Sequence, residues 1–80
     1  MTNIIYYTNW CGYCSLILNI INRYNIIVEF IKIDNIDSIL NDNSIEKNKD
    51  LYYKVSPLFV SNSRIIGSIY SFINYFRVRY

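Results

Sequence analysis

Eighty residues hold one domain, here the whole of 1–80, and leave no room for a separate cofactor or substrate domain. An apolar share of 52% with two glycines and one proline argues for a dense core and against disorder, and a net charge of +2 is too small to imply nucleic-acid binding. No window approaches the roughly 18 apolar residues of a membrane span, and residues 1–7 lack the basic region of a secretion signal. The expectation is a cytoplasmic, monomeric domain with neither nucleic acid nor membrane as partner.

In chain order, Asn3 to Thr8 contains Ile4-Ile5-Tyr6-Tyr7, the composition of a short buried strand. Leu16, Ile17, Ile20, Ile21 and Tyr24 follow at helical spacing, with Asn19, Asn22 and Arg23 on the opposite face, and Asn25 ends the pattern. Ile27 to Ile33 alternates as a second strand, expected to run parallel to the first. Asn35 to Asn43 reads as a loop with at most a helical turn, and Ser44-Ile45-Glu46-Lys47 reads as the capped start of a helix reaching about Tyr53. Leu58-Phe59-Val60 and Ile65-Ile66, joined through Ser61-Asn62-Ser63-Arg64, form a hairpin. Ile69, Phe72, Ile73 and Phe76 then repeat at helical spacing behind Ser68, a suitable N-cap. The order β-α-β-α-β-β-α implies an α/β fold with a four-stranded mixed sheet covered by helices.

Acids concentrate in 34–50, with Asp34, Asp37, Asp42, Glu46 and Asp50, whereas Lys54, Arg64, Arg77 and Arg79 follow with no acid. This segregation reads as solvated faces, with an anion-binding groove in the C-terminal half as the alternative.

The chemistry lies in Cys11 and Cys14. A Cys-x-x-Cys pair where a strand passes into a helix can close a disulfide reversibly. Free amides and the positive end of the helix dipole favour the Cys11 thiolate over the thiol, while Cys14, one turn into the helix and facing inward, gains less. Cys11 is then the nucleophile and Cys14 the resolving thiol. So short a loop adds little stability, which argues against a structural staple. With no His and no further Cys, one chain lacks the four ligands of a structural zinc site, although a metal or cluster bridging two chains and two merely apolar cysteines stay open.

Ile4-Ile5-Tyr6-Tyr7-Thr8 followed by Cys11-Gly12-Tyr13-Cys14, then Val55-Ser56-Pro57, then Ile66-Gly67-Ser68, resembles the glutaredoxins of the thioredoxin superfamily over essentially the whole chain. The first landmark matches the Cys-Pro-Tyr-Cys site with Gly for Pro, the second the Thr-Val-Pro segment, and the third the Ile-Gly-Gly turn that opens the last helix. The resemblance implies a thioredoxin fold, a cis bond before Pro57, and thiol-disulfide exchange on protein disulfides or glutathione mixed disulfides. Glutathione or a thiol reductase would supply the electrons, with no tightly bound cofactor. Trp10, Tyr13, Ser56, Pro57, Gly67 and Ser68 would contact substrate or glutathione, Ser56 through its backbone.

Several residues depart from that pattern. Thr8 and Asn9 stand where the family has a Lys or Arg, and Ile69, Tyr70 and Ser71 stand where it has an Asp pair. Lys47, Lys49, Lys54 or Arg64 are the cations available to replace the first, and Ser68 and Ser71 the hydrogen-bonding groups for the second. Trp10-Cys11-Gly12 is shared with thioredoxins, and a small residue at position 12 also occurs in glutaredoxins that hold a [2Fe-2S] cluster between two chains.

Overall fold

Ile4, Ile5, Tyr6 and Tyr7 belong to a strand because β-branched and aromatic side chains suit a pleated surface covered on both sides. That strand is β1 (Asn3–Tyr7), and a computed structural model describes residues 2–9, 11–47 and 56–78 around it. The remaining elements are α1 (Cys14–Tyr24), β2 (Glu29–Lys32), α2 (Asp37–Leu40), β3 (Leu58–Ser61), β4 (Arg64–Gly67) and α3 (Ile69–Phe76). The sheet order is β2-β1-β3-β4, with β1 parallel to β2 and antiparallel to β3, and β3 antiparallel to β4. The expected α/β class and mixed four-stranded sheet are therefore present.

Alternation along the central strands sorts the core into two layers. Ile5 and Phe59 point to one face, where Ile17 and Ile20 of α1 and Ile69 and Phe72 of α3 cover them. Leu58 and Val60 point to the other, against Ile36, Ile39, Ile45 and Ile65. All four residues of β3 are buried, as an inner strand with both faces covered must be. β2 is an edge strand, and over 27–33 exposed and half-buried residues alternate except at Ile31, which is half-buried like Phe30.

Both long helices end alike. Asn25 and Arg77 adopt left-handed backbone with φ of 54° and 53°, and the next amides, Ile26 and Val78, reach back to the carbonyls of Ile21 and Ile73. This closes the last helical turn, and Val78 then buries itself against the core. The β3–β4 hairpin turns on Asn62 and Ser63, with φ of 52° and 62°, the two successive positive values of a tight type I′ turn.

The expected second helix does not start where its capping pattern places it. Ser44 to Lys47 does not begin a helix: Glu46 instead bridges to Arg64, its amide donating to the Ser63 carbonyl at 2.7 Å and its carbonyl accepting from the Ile65 amide at 2.9 Å. The Asp42 carboxylate accepts from the Ser44 hydroxyl at 2.6 Å and the Ser44 amide at 2.9 Å, and those bonds hold its pKa below the usual carboxylate value. Ser44 thus serves a turn around Asp42, and the turn delivers Ile45 to the core. The second helix is the single turn Asp37–Leu40, the helical turn allowed within the loop of 35–43, and it forms where Ile36 and Ile39 find a buried face. The part of the expected helix from 48 to 53 lies outside the described residues.

Candidate functional site

β1 and β4 both run toward one end of the sheet, so the entrance of α1, the start of β3 and the entrance of α3 gather there. Cys11 leaves β1 at that end and is disulfide-bonded to Cys14, with Cα atoms 5.6 Å apart. Both cysteines are half-buried. Cys14 is the first residue of α1 and not one turn in, so it shares the helix entrance with Cys11. The first intrahelical bond runs from the Ile17 amide to the Tyr13 carbonyl, which leaves the amides of Cys14, Ser15 and Leu16 with no helical acceptor. The N-cap residue Tyr13 makes no side-chain capping bond, and no acid lies in the first turn to offset the positive end of the dipole.

Gly12 and Tyr13 are both exposed, Tyr13 at 48%. A Cβ at Gly12 would have nothing within 4 Å, so this glycine is not forced by crowding. Trp10 lies outside the described residues, as do Val55, Lys49 and Lys54.

Pro57 is buried at the start of β3, and the Ser56–Pro57 peptide bond is cis, as the resemblance implies. The Thr8 amide donates to the Ser56 hydroxyl oxygen at 3.0 Å, tying the end of β1 to the start of β3 three residues before Cys11. That side-chain contact was not foreseen, because nothing along the chain brings Thr8 to Ser56.

Gly67 lies opposite Phe59 at an irregularity in the β3–β4 ladder, with φ of 141°. Residues with a Cβ avoid this conformation. Gly67→Ala is expected to cost about 1–3 kcal/mol of stability in urea unfolding; a change within a few tenths would show the strain to be absent. Ser68 takes the N-cap position of α3 with extended backbone, but its side chain makes no capping bond, so the expected cap is one of position only.

The two described candidate cations, Lys47 and Arg64, are engaged away from the cysteines. Arg64 forms an exposed ion pair with Glu46 at 3.2 Å beside Ser61 and Asn3, the end of the sheet opposite Cys11. Lys47 donates to the carbonyls of Asp42 and Ile45. Neither can replace a cation beside the cysteines. Lys32, which no motif marked, pairs in register with Tyr7 and is the described basic residue at the Cys11 end. Among the described residues, no three His, Cys, Asp or Glu side chains come together as metal ligands, and no helix is long and apolar enough to cross a membrane.

The fold and site define an α/β domain with a Cys-x-x-Cys disulfide at a helix entrance. Comparison with family models, curated proteins and solved structures yields no match.

Proposed function

We propose that this chain is a thioredoxin-fold thiol-disulfide oxidoreductase of the glutaredoxin type, reducing protein disulfides or glutathione mixed disulfides. The supporting observation is the placement of the Cys11–Cys14 disulfide at the uncapped entrance of α1, on the same end of the sheet as Pro57. In the dithiol form, Cys11 thiolate attacks one sulfur of a substrate disulfide. A mixed disulfide forms and the first substrate thiolate departs. Cys14 then attacks the Cys11 sulfur, releasing the second substrate thiolate and closing the intramolecular disulfide. Two electrons pass from the cysteine pair to the substrate.

Two thiols of glutathione, or a thiol reductase, return those electrons. The half-buried site leaves Cys11 reachable by a substrate sulfur, exposed Tyr13 offers an aromatic surface beside it, and Lys32 supplies positive charge at that end. The enzyme acts as a monomer in the cytoplasm, where a reducing pool keeps the pair as dithiol.

Turnover of a small disulfide, measured with glutathione and with a thiol reductase in separate assays, tests this reading. Sustained turnover is expected with at least one reductant. No turnover with either, despite a fully reduced starting protein, rejects the assignment.

A further inference from the structure

We propose that the Ser56 hydroxyl is a positioning group that sets the redox equilibrium of the Cys11–Cys14 pair; the inference rests on that pair being reversibly oxidised. β1 is held on both sides where it ends. The Ile33 amide donates to the Tyr7 carbonyl at 2.8 Å from the β2 side, and the Ser56 oxygen accepts from the Thr8 amide at 3.0 Å from the β3 side. The backbone register between β1 and β3 stops at Tyr6 and Leu58, so the Thr8 contact is made by a side chain beyond the ladder. On the far side of the cysteines, the Ile17 to Tyr13 bond starts α1. Cys11 therefore sits in a short span between two anchors, one of which is Ser56.

Within that span Gly12 carries no side chain, and a Cβ there would meet nothing within 4 Å, so packing at Gly12 does not hold the turn. The Ser56 bond does so from outside by limiting how far Cys11 strays from Cys14 once the disulfide opens. Fewer open conformations mean a higher effective concentration of one thiol at the other, which favours the disulfide over the dithiol. Ser56 is half-buried, where such a bond is less exposed to competition from water than on the open surface.

The exchange is balanced: the protein disulfide and two glutathione thiols give Cys11 and Cys14 thiols and one glutathione disulfide, with two electrons and two protons transferred. Its equilibrium constant is read by equilibrating the full chain in glutathione buffers of varied ratio, trapping thiols with acid and an alkylating agent, and counting them by mass. Ser56→Ala is expected to shift the constant about fivefold toward the dithiol, the weight of one hydrogen bond, or roughly 20 mV for a two-electron couple. Ser56→Thr, which keeps a hydroxyl, is expected within twofold of the parent. Ser61→Ala removes bonds to Asn3 and Tyr75 at the opposite end of the sheet, and is expected to lower thermal stability while leaving the constant within twofold.

A Ser56→Ala constant within twofold of the parent overturns the proposal, as does an equal shift in Ser61→Ala or in Ser56→Thr. The measurement needs no turnover. A shifted constant in Ser56→Ala from a protein that never turns over substrate defeats the oxidoreductase reading and supports the brace.

Discussion

Cys11→Ser is expected to reduce disulfide turnover to the rate of the buffer thiol alone, while the domain stays folded. The serine hydroxyl is not ionised near neutral pH and cannot take over as the attacking thiolate, even at an uncapped helix entrance. Folding should survive because the disulfide joins residues only three apart, and so short a loop restricts the unfolded chain less than a long one. Cys14→Ser separates the two roles. It leaves Cys11 able to attack but removes the resolving thiol, so Cys11 should accumulate as a mixed disulfide with glutathione, seen as one added glutathione by mass. Retained turnover in Cys11→Ser would exclude Cys11 as the nucleophile. Glutathione captured on Cys14 in that variant would reverse the two roles.

Phe59→Ala is expected to cost about 3–5 kcal/mol, most of the stability of a domain this small. Phe59 lies on the inner strand β3 and is 1% exposed. Its ring meets Phe72 at 5.2 Å, Tyr75 at 5.1 Å and Phe76 at 5.6 Å between centroids, so one side chain fastens α3 to the sheet. Truncation removes its transfer free energy, leaves a cavity that the sheet cannot close, and loses edge-to-face contacts worth about 0.5–1.5 kcal/mol each. Thermal unfolding should show a fall of about 15 °C or more, and a loss under 1 kcal/mol would mean that α3 is not held in this way. Because α3 begins at the same end of the sheet as Cys11, the damage should reach the site. Redox exchange in the variant is expected to lose its dependence on the folded state.

Features that depend on neighbours along the chain are legible in the residues themselves. The 3.6-residue period of Ile17, Ile20, Ile21 and Tyr24 marked α1, and the run Ile4 to Tyr7 marked β1. Asn25 and the Asn62-Ser63 pair mark a helix end and a turn because those residues tolerate left-handed backbone or bond to it locally. The cysteines at a strand-to-helix junction were legible for the same reason, since their spacing and the helix entrance are local.

What depends on distant partners is set by the closing of the sheet. Ser44 and Glu46 carry a capping pattern, yet the β-bridge to Arg64 and the burial of Ile45 outweigh the weak preference of so short a helix. Arg64, a candidate cation for the site, is carried to the far end of the sheet by the hairpin register, and Lys32 is carried to the near end by β2. The cysteine pair is itself divided in this way. That Cys11 and Cys14 can bridge follows from three residues of separation, whereas the Ser56 hydroxyl that holds the chain leading into Cys11 comes from 48 residues beyond Thr8, a contact that only the closed sheet creates.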